Sequence, residues 1–324
     1  MLKHMAKIEL LGEDNFISTM NTENKAWRRE HVSQGVFNSF DGTKMNYYYA
    51  IPDSAKRAIV IVHGFCEFWA KFHEYAWYLY EAGYAVFFME QRGHGYSGGK
   101  LKAPDIVYID NYNTYVEDLH VFVEKIVVPN ASSMKKTILA HSMGGAVGTL
   151  FLEKYPQYFD SAILSSPMLK MKNNTSPILI KLLGIYAFLF GKKKALAPGQ
   201  KRFDRKPVFE TSSAMSKPRY DYMFERRLKD EHYQTYGASI GWALASLKTN
   251  KVIMKNAGNL HIPITVFTAG NDHLIDPEGY RQFEKLVPSA KFINFDESKH
   301  EIFNAKENIR KEYFSDVLEI LERL

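Results

Sequence analysis

The stretch KKTILAHSMGGAVGTLFLEKYP, residues 135–156, decides the fold. KTILAH (136–141) is a short apolar run of the kind that forms a buried strand, and residues 144–154 carry a helical pattern. Ser142 sits at the apex between them, inside H-S-M-G-G. A nucleophilic serine on such a turn is normally written G-x-S-x-G, because strand and helix backbones crowd together there and need small neighbours. Gly144 and Gly145 supply them on the helix side. Ala140 replaces the first glycine, and one methyl group fits there if the residue facing it is also small. A serine at a helix N-terminus also meets free N–H groups and a dipole that favour developing negative charge.

Outward from this turn, apolar runs recur at 35–40, 44–51, 58–64, 85–90, 161–167, 264–270 and 290–295. Helical patterns lie near 73–82, 113–127, 277–287 and 305–323. Such alternation predicts an α/β fold: a mostly parallel sheet of about eight strands with helices on both faces. No helix separates the first two runs, so they read as an antiparallel start. The rhythm breaks near residue 170 and resumes after Pro263. The expected organisation is an N-terminal extension (1–34), a body (35–169 and 261–324) and an inserted helical cap (170–260).

Acyl transfer needs a base and a carboxylate besides the serine, and in this architecture they follow in the order serine, acid, histidine. Asp272 comes just after the run ITVFTAG, and His300 follows AKFINF, both at strand ends on the edge where open sheets carry ligands. Asp276 is a rival acid, but it precedes Pro277 as a helix N-cap does. AIVIVHG runs into HGFCE, so the backbone N–H groups of Phe65 and Met143 are the expected oxyanion donors, each worth about 3 kcal/mol of barrier. His63 reads as a residue that orders the oxyanion loop, His141 as a packing or hydrogen-bonding residue and His94 as a loop residue.

The set VHGFCEF (62–68), QRGHGYSGG (91–99), LAHSMGGA (139–146), AGNDHLID (269–276) and SKHEIFN (298–304) resembles the α/β-hydrolase superfamily. More narrowly it is similar to the bacterial lysophospholipases and the related monoacylglycerol lipases, over roughly residues 35–324. Thr211-Ser212, Arg219-Tyr220 and Gly241-Trp242 are similar to a pattern in the lysophospholipase cap. The resemblance implies a serine carboxylester hydrolase that acts without a cofactor on a lipid-like ester. It also makes Ala140 a marker of the branch. Glu90 departs from it, standing where the family usually carries an aspartate.

Charge divides the chain. Residues 170–261 carry 18 Lys or Arg against 6 Asp or Glu, and the remainder carries 24 against 30. A basic insert attracts anionic partners, here an anionic headgroup or a transient contact with an anionic membrane surface. This favours lysophospholipid over monoacylglycerol. An aminopeptidase needs carboxylates to hold a substrate ammonium, and the insert is poor in them. A hydrolase-fold protein that binds without chemistry is a further class, disfavoured because all three triad candidates are present. No recognition motif supports nucleic-acid binding. H-E-x-x-H, cysteine clusters and a G-x-x-x-x-G-K-[ST] loop are missing from the sequence, so no metal site is expected. GHGYSG (93–98) matches G-x-G-x-x-G, but no apolar helix follows to receive a pyrophosphate.

Cys66 is the only cysteine, and the N-terminal residues lack the continuous apolar core of a signal peptide. Both point to the cytoplasm, with a peripheral position at the inner membrane face if the cap touches lipid. The apolar run 178–191 is too short to span a bilayer. Its first reading is a cap helix packed on the body. The others are an acyl-chain channel or a membrane contact with Lys192, Lys193 and Lys194 at the headgroups. Composition says nothing about oligomeric state.

Overall fold

The computed structural model describes residues 8–324; the first seven residues of the N-terminal extension lie outside them. Eight strands form one sheet: β1 (Ser33–Asn38), β2 (Lys44–Ala50), β3 (Ala58–Val62), β4 (Ala85–Met89), β5 (Lys136–His141), β6 (Ser161–Ser165), β7 (Ile264–Ala269) and β8 (Lys291–Phe295). Their spatial order is β1-β2-β4-β3-β5-β6-β7-β8. β1 and β2 pair antiparallel, β2 joins β4 antiparallel, and the pairs from β4 to β8 are parallel.

The sheet is covered on both faces, as its apolar strands require. The period-2 alternation of β3 sends Ala58, Val60 and Val62 into one cluster and Ile59 and Ile61 into the other. The second face is covered by α1 (Glu13–Asn21), α2 (Glu23–His31) and α3 (His73–Glu81), through Phe16, Trp27 and Tyr75. On the first face lie α4 (Asn113–Phe122), which continues through a π-helical turn to Asn130, and α5 (Met143–Lys154). That turn precedes Pro129, whose ring has no N–H and cannot sit in an unbroken α-helical ladder.

β6 and β7 are parallel neighbours, so residues 166–263 leave and re-enter the sheet at adjacent positions. This stretch holds α6 (Pro177–Leu189), α7 (Lys217–Lys229) and α8 (Ile240–Asn256). A short parallel bridge of Ile106–Val107 with Gly237–Ala238 ties it to the loop after β4. α9 (Pro277–Leu286) and α10 (Glu307–Arg323) complete the chain.

One expectation needs correction. Packing of 178–191 on the body fails: Ala187 is the one buried residue of α6, whereas Ile178, Phe188 and Leu189 are 68–73% exposed. His94 lies in the loop after β4, as expected, and is fully buried there, edge-on to the rings of His63 and Phe65. Among the described residues no helix is long and apolar enough to cross a membrane.

Candidate active site

Ser142 links β5 to α5 with φ 54° and ψ −120°, a conformation that costs an L-residue energy and persists only where its surroundings enforce it. Its N–H donates to Ser165 O at 3.1 Å, and its carbonyl accepts from Gly145 N at 2.9 Å and Met168 N at 2.8 Å. The crowding explains the glycines. A Cβ on Gly144 would lie 2.1 Å from the Val62 carbonyl oxygen, and one on Gly145 would lie 2.4 Å from Pro167 Cβ. Ala140 fits because the residue facing it is Gly148, where an added Cβ would stand 3.2 Å from the Ala140 methyl. Small size is needed at this contact, and here the helix supplies it. Cys66 and Ser166, the other non-glycine residues with positive φ among those described, also follow sheet strands. Strain therefore gathers at one edge of the sheet.

At that edge His300 Nε2 lies 2.7 Å from Ser142 Oγ, and His300 Nδ1 lies 2.6 Å from Asp272 Oδ2. The other carboxylate oxygen of Asp272 accepts from the N–H groups of Leu274 at 2.8 Å and Ile275 at 3.1 Å. Burial works to raise the Asp272 pKa, but the His300 hydrogen bond and charge, with those two N–H groups, hold it below the ordinary value. Asp276 takes no part: it caps α9 through Glu278 N at 3.0 Å and pairs with Lys170 at 2.8 Å. His300 is buried, while Ser142 is partly open to solvent.

Among the described residues the N–H groups of Phe65 and Met143 have no hydrogen-bond partner, the condition a pair of oxyanion donors must meet. The loop carrying Phe65 is held from several sides. His63 Nδ1 lies 2.7 Å from Gly64 O, and its Nε2 accepts from Gln91 N at 2.8 Å. Burial keeps His63 and His141 neutral, with pKa values well below the ordinary one. The Cys66 carbonyl accepts from Arg227 of α7, a buried guanidinium that also donates to Thr235 O. Phe65 itself packs on Trp242 of α8, 4.1 Å between ring centroids.

A buried trio was not singled out in the sequence. Lys71 Nζ lies 2.7 Å from both Glu67 and Glu301, and Glu67 also accepts from Gly64 N. Lys71 therefore joins the oxyanion loop to the residue following His300. At Glu301 burial opposes ionisation, yet the Lys71 charge and the Asn304 hydrogen bond bring its pKa down to about 2. At Glu67 burial prevails and raises the pKa. The i, i+4 spacing of Glu67 and Lys71 was a visible signal, whereas the third member needed the fold.

Glu90 accepts from Trp69 N, Tyr96 N and Asn46 Nδ2, and burial lifts its pKa to about 7. Its carboxyl fills the space where Gly95 lacks a side chain. The GHGYSG glycines thus serve a tight loop, and the next helix begins only at Asn113.

The chain is similar to known proteins over most of its length. A family model described as serine aminopeptidase, S33, matches residues 53–307. The chain is 27% identical over 278 residues to a probable lysophospholipase L2 of Haemophilus influenzae, covering 85% of this chain and 87% of that protein. It is 28% identical over 285 residues to a monoacylglycerol lipase of Mycolicibacterium smegmatis, covering 86% and 92%. Among solved structures, a thermostable carboxyl esterase from Bacillus coagulans superposes with TM-score 0.71 at 19% identity, over 90% of this chain and 98% of that one. A soluble variant of the Saccharomyces cerevisiae monoglyceride lipase gives 0.68 at 19% identity, over 90% and 96%.

Proposed function

The chain belongs to the serine aminopeptidase S33 family and has the α/β-hydrolase fold; on that premise we propose that it is a serine carboxylester hydrolase releasing fatty acid from lysophospholipids. The observation that carries the proposal is the unbroken hydrogen-bonded chain from Ser142 through His300 to Asp272. Ser142 Oγ attacks the ester carbonyl as His300 Nε2 takes its proton. Asp272 fixes the imidazole tautomer and stabilises the imidazolium that forms. The Phe65 and Met143 N–H groups receive the oxyanion. His300 then protonates the departing alcohol, and water, activated by the same histidine, releases the acid from Ser142.

The substrate choice rests on two supports. The lysophospholipase and monoacylglycerol lipase relatives favour a lipid-like ester, and the basic 170–260 cap favours an anionic headgroup. The exposed apolar face of α6, followed by Lys192, Lys193 and Lys194, suits transient contact with an anionic bilayer at which such substrates reside. The cap's poverty in carboxylates disfavours a peptide amine, despite the family's description.

The test is fatty-acid release from matched lysophospholipid and monoacylglycerol. Ser142→Ala should lower it on the order of 10⁴-fold or more, with the fold intact. Faster turnover of monoacylglycerol would reassign the substrate. No release from either lipid, with short-chain esters also inert, would leave a binding protein on a hydrolase fold.

A further inference from the structure

Arg219 of α7 engages Glu74, Glu13 and the Leu11 carbonyl with all three of its nitrogens, but two other arginines lack such partners. Arg28 of α2 and Arg226 of α7 line one cavity of about 580 Å³, at the junction of the N-terminal hairpin, the β1–β2 edge of the sheet and the inserted segment. Neither has a carboxylate partner among the described residues. Arg28 Nε donates to Asn24 Oδ1 at 2.8 Å, and an Arg226 terminal nitrogen donates to Asn21 Oδ1 at 3.1 Å. Arg226 Nε is buried with no acceptor. Lys229 adds a third cation, paired outward with Glu225. The cavity's carboxylate, Asp230, is occupied by Tyr96 and by His232. Burial pushes the Arg28 guanidinium below its ordinary pKa; Tyr222 opposes this and the Arg226 charge adds to it.

Two half-buried arginines that line one cavity without a carboxylate partner favour an anion bound there. We propose that this cavity binds a phosphate ester, held by Arg28 and Arg226. The guanidinium fork matches phosphate oxygens, and two forks from different elements make a clamp. The stacked rings of Tyr48 and Trp69, 4.8 Å apart, form a wall for the group esterified to the phosphate. None of the lining residues belongs to the triad or to the oxyanion pair, so the site is additional to the one that performs hydrolysis. An anion bound there ties α2 to α7 and so fastens the inserted segment to the N-terminal hairpin.

The source of the phosphate is open to experiment: a soluble ester or a lipid headgroup presents the same chemistry. Titration calorimetry and thermal unfolding with sodium phosphate and with glycerol 3-phosphate examine the first, and flotation with phosphatidylglycerol vesicles examines the second. Wild type should bind at least one of these, and Arg28→Gln or Arg226→Gln should weaken that binding by about tenfold or more. Without phosphate, each single variant should unfold no earlier than wild type, because a repulsion has been removed. With phosphate, only wild type should gain. Absence of binding by wild type to all three probes overturns the proposal, as does equal binding by the Arg28→Gln/Arg226→Gln double variant. These readouts need no ester hydrolysis, so they stand apart from the fate of the lysophospholipase assignment.

Discussion

Two helices of the inserted segment, α6 and α7, are each 13 residues long and each have a proline in the first turn, yet they treat water in opposite ways. α6 is almost wholly apolar and turns its large side chains outward, with Ile178, Leu179, Phe188 and Leu189 58–73% exposed. α7 is rich in charge and buries it: Arg219 and Arg227 are only 3% and 7% exposed. Burying arginine is unfavourable unless each donor finds an acceptor. α7 meets that condition for Arg219 by reaching outside the inserted segment, whereas the Nε atoms of Arg226 and Arg227 have no acceptor among the described residues. Arg219 holds Glu74 through two bonds of 2.8 and 2.6 Å and touches Glu13 and Leu11 O, and Arg227 holds the Cys66 carbonyl. The charged helix is therefore the structural one, welded to the N-terminal residues and the oxyanion loop. The apolar helix has no use for its surface within the described chain.

The largest effect that separates the two should come from Arg219→Ala. It leaves Glu74 buried with Arg310 as its remaining cation, a loss of about 3–5 kcal/mol. Urea unfolding should register it in full. Phe188→Ser on α6 should shift the same midpoint by less than about 0.5 kcal/mol. Equal losses would mean that α6 is packed and the contrast is false.

The next effect concerns the loop against which the α7 end docks. Tyr96, whose N–H donates to Glu90, reaches Asp230 with its hydroxyl. The Glu90 pKa is about 7 in the fold, above its unfolded value, so the folded protein holds this proton after the unfolded chain has released it. Stability should therefore fall as pH rises from about 4.5 to 7, by about 3 kcal/mol from this group, and stay flat beyond. Unfolding midpoints measured across that range should decline more steeply in wild type than in Glu90→Gln. Matching slopes would place the titration elsewhere, for instance at Glu153, which burial lifts to about 8.

The same contrast explains which features were legible in the sequence. Buried parallel strands are uninterrupted apolar runs, and each expected strand lies within two residues of the observed one. The Ser–Asp–His order was readable because each member follows a strand end. Asp272 and Asp276 could be separated because a residue before proline reads as a cap. α1 and α2 were missed: TENKAWRREH is polar enough to pass for a tail, and Trp27 alone carries much of its packing. The Arg219–Glu74 and Arg310–Glu74 bonds span 145 and 236 residues, beyond any local pattern. α6 misled for the converse reason, since an apolar run looks the same whether it faces a core or an interface.

The outward face of α6 supplies the two smaller effects. Phe188→Ser removes a side chain that a bilayer would bury, worth about 2 kcal/mol, or roughly thirtyfold in vesicle affinity. Hydrolysis of a soluble short-chain ester should be unchanged. Lys192→Gln should cost about 1 kcal/mol, and only on anionic vesicles, because each lysine near such a surface contributes about that much. Lys192 is the apt choice, since Lys193 is engaged by Asp110 at 3.2 Å and Lys194 lies over the Tyr108 ring. Added salt distinguishes the two. It should erase the Lys192→Gln difference, because the Debye length shrinks to about 3 Å at 1 M, and leave the Phe188→Ser difference in place. If salt erased both, the attraction would be one of charge alone, and the exposed apolar face of α6 would need another occupant.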